Sequence, residues 1–152
     1  MSTRLAAILG LTLSTAVACR SAAERPPRIE IDRTACAHCG MLISEPMFAA
    51  GYRAPHGDAR VFDDIACMLD EVEREQDKHR LRFWFHDAAS SEWIDGDAAT
   101  FVESASLKTP MGGGFVAYRD GAAATSAAHA RQGRVIRSVT DLLRARPAGG
   151  GA

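Results

Sequence analysis

Short apolar runs separated by turn-forming residues predict a chain of short strands and short helices. In the first half, strands are predicted over residues 29–31, 47–54, 59–62 and 81–86. Segment 65–72 differs, because its apolar residues recur at intervals of three and four, as on one face of a helix. The first half therefore predicts strands arranged around a single helix.

The predicted helix starts after two acidic residues and carries a cysteine away from its apolar face. Asp63 and Asp64 stand where helix N-caps and first-turn acids are favoured. Cys67 lies about 200° around the helix from Ile65, so it is predicted to lie outside the core-facing stripe. That stripe comprises Ile65, Met68, Leu69 and Val72.

The second half repeats this outline. Its predicted elements are an extended piece at 93–95, a helix at 97–104, a strand at 114–119, a helix at 122–132 and a strand at 134–139. The segment "MFAAGYR" resembles "GFVAYR", and each follows a loop with methionine and glycine. We therefore predict an α+β fold of two similar small ββαβ units sharing a sheet core.

The N-terminus has the features of an export signal. One arginine precedes the apolar run 5–18, which is short for a membrane-spanning helix and ends directly before Cys19. This ending resembles a bacterial lipobox, so lipidation of Cys19 and location in the periplasm are expected, with the outer membrane favoured. The predicted divisions are a signal peptide (1–18), a lipidated linker (19–28), the two units (29–88 and 89–146) and a disordered tail (147–152).

Composition excludes some function classes and directs attention to the cysteines. The net charge is −1, and no run of Lys or Arg suggests a nucleic-acid surface. Three of the four cysteines follow Cys19, namely Cys36, Cys39 and Cys67. An odd number of thiols makes a poor disulfide framework in an oxidising compartment. Thiols kept free there indicate redox chemistry or metal binding.

The segment "CAHCGM" (36–41) admits several kinds of site. A structural zinc site needs a second ligand pair at a characteristic spacing, and the one thiol that follows is Cys67. A thioredoxin-like pair needs a long helix beginning at the first cysteine, and Gly40 and Pro46 leave no room for one. Both alternatives remain open at this point.

Methionines favour a third kind of site, for Cu(I). Thioether sulfur suits soft Cu(I) better than harder cations, as thiolate does. Met41 and Met111 lie in glycine-containing loops, where filling a core gap is less needed, whereas Met68 lies in the helical stripe and suits the core. His38 is open between a solvated residue and a peripheral ligand.

The chain carries in this order the lipobox cysteine, "CxxCGM", "FDDIACM", the segment 93–102 and "PMGGGFVAY". This ordered set resembles the NosL family of lipoproteins, which are accessory to nitrous oxide reductase in denitrifying bacteria. The resemblance implies a Cu(I) metallochaperone, not an enzyme, that supplies copper to the reductase. It also implies an ABC-type maturation complex as the immediate partner.

The resemblance also implies a set of metal ligands. The expected ligands are Cys36, Cys39, Met41, Met68 and Met111, and which of Cys36, Cys67 and His38 bind metal is left open. Two alternative functions are kept. One is a thioredoxin-like redox protein using Cys36 and Cys39, and the other resembles organomercurial lyase, an enzyme of related fold that uses two cysteines and an acid.

Overall fold

The structure, a computed structural model, describes residues 25–55 and 57–145. The predicted signal peptide (1–18), the lipidation site Cys19 and the predicted tail (147–152) lie outside the described residues. The α+β prediction is confirmed, because the described residues form two antiparallel sheets and three helices. Within the described residues, no helix is long and apolar enough to cross a membrane.

The first sheet is built around a hairpin and one helix. Its elements are β1 (Ala50–Arg53), β2 (Ala59–Phe62), α1 (Ile65–Val72), β3 (Arg82–His86) and β4 (Trp93–Asp95). The strand order is β2-β1-β3-β4, and all neighbours are antiparallel. Trp93–Asp95 thus pairs with the first sheet, although it lies in the predicted second unit; the boundary at residue 88 stays a prediction.

The second sheet repeats the connectivity of the first. Its elements are β5 (Thr100–Glu103), β6 (Phe115–Tyr118), α2 (Gly121–Ala130) and β7 (Arg134–Ile136), followed by α3 (Val139–Ala145). The order β6-β5-β7 matches β2-β1-β3, with a helix between the second and third strands in each case. The two ββαβ units are therefore similar, as predicted.

A common core joins the two sheets. Phe85 of β3 and Phe101 of β5 meet edge to face with ring centroids 4.7 Å apart, and both side chains are fully buried. The backbone amide of Ala88 also donates to the carbonyl of Ala117 at 2.8 Å, which ties the end of β3 to β6. Burial of such aromatic side chains stabilises the fold by roughly 1.5–3 kcal/mol each.

The helix predicted at 97–104 is wrong. Asp95 does accept a hydrogen bond from the amide of Asp97, but the helical segment that follows is a single 3₁₀ turn, Gly96–Ala98. Residues 100–103 form β5, the central strand of the second sheet. Phe101 and Val102 point to opposite faces and are both fully buried, so tertiary packing favours the strand.

Three predicted strands differ from the structure. Residues 29–31 form no strand, because the amides of Arg33 and Thr34 both donate to the carbonyl of Glu30 and close a turn. The strand predicted at 47–54 begins at Ala50, since Pro46–Phe48 is a 3₁₀ turn. The strand predicted at 134–139 ends at Ile136, and α3, which was not predicted, follows.

Candidate metal centre

The segment 36–41 folds into a tight loop closed at its base. Ala35 and Leu42 form an antiparallel bridge, and the amide of Cys36 donates to the carbonyl of Met41 at 2.7 Å. Gly40 closes the loop with φ of 78°, a left-handed conformation that glycine adopts without strain. This requirement explains the glycine before the methionine. Residues 36–39 therefore form a turn and not the start of a helix. The thioredoxin-like arrangement, in which the first cysteine begins a long helix, is not formed.

The loop packs against the start of α1 and brings three thiols together. Cys36 and Cys39 come from the loop and Cys67 from α1, and all three are free cysteines. Their sulfur atoms and a carboxylate oxygen of Asp63 all lie within 4.8 Å of one another. We call these four residues the thiol cluster. Within residues 25–55 and 57–145, these four side chains lie close enough together to hold one metal ion.

The position of Cys67 corrects the helical analysis. The sequence predicts Cys67 outside the core stripe, but its side chain is 2% exposed and belongs to the main core. The reason is that the loop covers the side of α1 that the stripe leaves free, so Cys67 is buried against Cys36. The angle between Cys67 and the apolar stripe does not reveal which segment packs on that side of the helix.

A hydrogen bond joins the two deepest thiols, Cys36 and Cys67. A hydrogen bond from Cys67 lowers the pKa of Cys36 to about 6, which outweighs the effect of its burial. The same hydrogen bond and burial raise the pKa of Cys67, so Cys67 is the donor and Cys36 the thiolate. Burial raises the pKa of Cys39, the half-buried member of the cluster. The hydrogen bond from Cys67 therefore favours the thiolate form of Cys36 in the metal-free site.

This arrangement predicts a thiolate that titrates in an unusual range. Thiolate ultraviolet absorbance of the metal-free, reduced protein should correspond to about one group per chain at neutral pH and disappear as the pH falls through about 6. Cys67→Ala removes the donor and should move that midpoint upward. Absorbance that appears solely in the ordinary alkaline range of a free thiol would contradict the assignment.

Asp63 was missed as a cluster member because the sequence offers a simpler role for it. Its neighbour Asp64 is the N-cap of α1, accepting from the amide of Ala66 at 2.8 Å. Asp63 instead lies 3.6 and 3.7 Å from the sulfur of Cys39 through its two oxygens. A helix needs one N-cap, so one of the two adjacent acids is left for another role. The sequence signal for Asp63 as a cluster member was this surplus acid, four residues before Cys67.

Asp64 fixes the second methionine loop beside the cluster. One of its oxygens accepts from the hydroxyl of Thr109 at 2.6 Å and from the amide of Met111 at 2.9 Å. Gly113 packs so closely on α1 that an added Cβ would lie 2.3 Å from the Cβ of Ala66. The loop "PMGGG" is thus held at the start of the helix that carries Cys67.

The predicted methionine ligands occupy two different environments. Met41 is 51% exposed and lies on the loop 36–41, which covers α1. Met111 is 45% exposed and lies on the loop that Asp64 holds at the start of α1. Met68 is fully buried in the main core. Exposed methionines are free to bind a soft metal, whereas Met68 already packs as a core residue. Ligation by these methionines stays a prediction.

His38 lies beside the cluster and faces α1. Its Nδ1 is 3.2 Å from Glu71 and its Nε2 is 3.6 Å from Asp70. Glu71 is also paired with Arg60 and Arg74. Burial raises the pKa of Glu71, but the hydrogen bond from His38 and these two cations outweigh it and lower that pKa below its usual value. Glu71 is therefore a buried anion at neutral pH.

The sequence profile of the NosL family matches residues 28–143, which is most of the chain. The chain belongs to the NosL family. This agrees with the motif resemblance and confirms that the chain is not an enzyme. The lyase alternative is therefore not retained, although Asp63 does place an acid beside the thiols.

A solved structure of the NosL family has the same fold. The crystal structure of the copper chaperone NosL from Shewanella denitrificans matches with a TM-score of 0.64 and 17% sequence identity. The match covers 74% of this chain and 92% of that chain. At this identity, the likeness shows a common architecture. No curated protein matches the sequence.

Proposed function

We propose that this NosL-family chain is a Cu(I) metallochaperone, lipid-anchored in the periplasm, that supplies copper for maturation of nitrous oxide reductase. The observation that carries the proposal is the convergence of Cys36, Cys39 and Cys67 with Asp63 within 4.8 Å. The likeness in fold to the Shewanella denitrificans protein, which is a copper chaperone, supports it. So do the motifs shared with the family.

The ligand chemistry favours Cu(I) over harder ions. Thiolates are soft ligands that suit Cu(I), Zn(II) and iron–sulfur clusters, and thioethers add preference for Cu(I). Three thiols and a carboxylate also complete a four-ligand set for zinc, which the spacing of the sequence did not indicate. The exposed Met41 and Met111 on the two adjoining loops favour Cu(I) over zinc, because thioether sulfur is a poor ligand for zinc.

A carrier must release its metal, and the cluster has one accessible side. Cys36 and Cys67 are 3% and 2% exposed, whereas Cys39 is half-buried. A recipient's sulfur ligand can therefore approach the ion beside Cys39, while the buried pair keeps hold until a new bond has formed. Exchange by shared coordination avoids releasing free Cu(I) to water.

The anchor follows from the export signal, and it can be tested separately from the metal. Cys19 lies outside the described residues, so the expectation rests on the apolar run that precedes it. Cys19→Ala should move the protein from the membrane fraction to the soluble periplasmic fraction with Cu(I) binding unchanged. Mass spectrometry should find acyl chains on the parent N-terminus alone. A Cys19→Ala protein that stays with membranes would contradict the lipidation.

The recipient can be tested in a denitrifying cell. Deletion of this chain should lower the copper content of purified nitrous oxide reductase without lowering the amount of reductase polypeptide. The parent chain should restore the copper, and Cys39→Ser should not, if copper passes through the thiol cluster. Fully metallated reductase in the deletion strain would show that the recipient is a different protein. The ABC-type maturation complex is proposed as the immediate partner, so the parent chain should co-purify with it.

A further inference from the structure

The imidazole of His38 bridges the cysteine loop to the helix that carries the third thiol. His38 stands directly before Cys39 in the loop, and both of its ring nitrogens face carboxylates of α1. Nδ1 lies 3.2 Å from Glu71 and Nε2 lies 3.6 Å from Asp70. These two acids follow Cys67 by three and four residues, about one helical turn away.

Arg60 closes the contact into a ring. Its guanidinium lies 2.7 Å from Glu71 and donates to the carbonyl of Ala37 at 3.3 Å. The amide of Ala37 in turn donates to the carbonyl of Val61 in β2 at 2.8 Å. The loop is thus held from two consecutive residues, Ala37 through its backbone and His38 through its side chain. Glu71, 8% exposed, is the common acceptor at the centre.

The ring has a clear geometric role in the cluster. Two of the thiols come from the loop and the third from α1, so the cluster exists solely while the loop lies against the helix. The hairpin bonds of the loop fix its internal shape, but they do not fix its distance from Cys67. Besides the packing of the thiols themselves and the contact of Cys39 with Asp63, the contacts of His38, Arg60 and the Ala37 amide hold the loop at that distance.

We propose that His38 is a positioning residue, which holds Cys36 and Cys39 at bonding distance from Cys67, and that it is not a metal ligand. This inference rests on the proposed Cu(I) function. A histidine between two cysteines invites assignment as a ligand, but here each ring nitrogen is directed to a carboxylate of α1. Its contribution to metal binding is to order the loop before the ion arrives, so that binding does not have to order it.

The substitutions His38→Asn and His38→Ala separate the two roles. The amide nitrogen of asparagine occupies nearly the place of Nδ1 and can donate to Glu71, but it is a poor ligand for Cu(I). A positioning role predicts that His38→Ala weakens Cu(I) binding about tenfold, in the range found for groups that orient ligands. His38→Asn should retain most of the parent affinity. Similar large losses in both variants would overturn the proposal.

A spectroscopic and a kinetic measurement complete the test. X-ray absorption of the Cu(I)-loaded parent should show no imidazole scattering and should match the spectrum of His38→Asn. Imidazole scattering in the parent that His38→Asn lacks would overturn the inference. In the metal-free protein, alkylation of Cys36 should accelerate in His38→Ala and in Glu71→Gln but not in His38→Asn.

This alkylation readout separates the inference from the function on which it rests. If the parent binds no Cu(I), the proposed function fails, and the alkylation rates still decide whether His38 holds the loop. Unchanged alkylation of Cys36 in His38→Ala would overturn the positioning role, whatever metal the cluster binds.

Discussion

Replacing Cys39 with serine is expected to weaken Cu(I) binding by more than about 100-fold, since loss of a group that merely orients a ligand commonly costs about 10–100-fold. Serine keeps nearly the same shape but replaces a soft sulfur with a hard, neutral hydroxyl. Cys39 is also the half-buried member of the thiol cluster, where an arriving ion first meets a thiol. Competition with a Cu(I) chelator of known affinity measures the loss directly.

The methionines provide matched controls for this result. Met41→Leu and Met111→Leu retain apolar volume and delete the thioether, so each should cause a smaller loss of affinity than Cys39→Ser. Met68→Leu changes a fully buried core residue and should alter stability more than affinity. If Cys39→Ser binds Cu(I) as tightly as the parent, the thiol cluster is not the copper site.

Replacing Asp64 with alanine is expected to destabilise the fold by about 3 kcal/mol or more, because each of the three donors left without an acceptor costs about 1–3 kcal/mol. Asp64 is fully buried and accepts from the amides of Ala66 and Met111 and from the hydroxyl of Thr109. Alanine leaves all three donors without their acceptor and leaves α1 without its N-cap. The free energy of unfolding in urea measures the effect.

The neighbouring acid should behave differently, although the two residues are adjacent and both are buried. Asp63→Asn preserves shape and removes one weak contact with Cys39, so the loss of stability should be about 0.5–1.5 kcal/mol, as for one ordinary hydrogen bond. If Asp63→Asn destabilises the protein as much as Asp64→Ala, the division between a structural acid and a cluster acid is wrong.

The elements that could be predicted from the sequence are those with a strong local signal. The stripe of apolar residues predicted α1 over the residues that it occupies, and aromatic runs predicted β3 and β6. The strand at residues 100–103 was missed because Asp95 does cap a helical segment, but that segment is a single turn, Gly96–Ala98. What made these residues a strand was burial of Phe101 and Val102 on two faces, which depends on the rest of the fold.

The site shows the same division between local and long-range information. The glycine beside Met41 could be explained as a turn residue, and Cys36 and Cys39 were already close in sequence. Cys67 and Asp63 lie beside these two cysteines because the loop 36–41 covers one side of α1. The periodicity of apolar residues in α1 gives no information about that contact. The third thiol and the acid therefore required the tertiary structure.

An anaerobic titration with Cu(I) and Zn(II) tests the central claim most directly. Reduced protein comprising residues 20–152, which omits Cys19, is titrated with each ion against chelators of known affinity. The account predicts that one Cu(I) binds per chain, far more tightly than Zn(II). Met41→Leu and Met111→Leu should each reduce the difference between the Cu(I) and Zn(II) affinities. Preferential binding of Zn(II), or a Cu(I) affinity that is unchanged when Cys36, Cys39 and Cys67 are all serine, would contradict it.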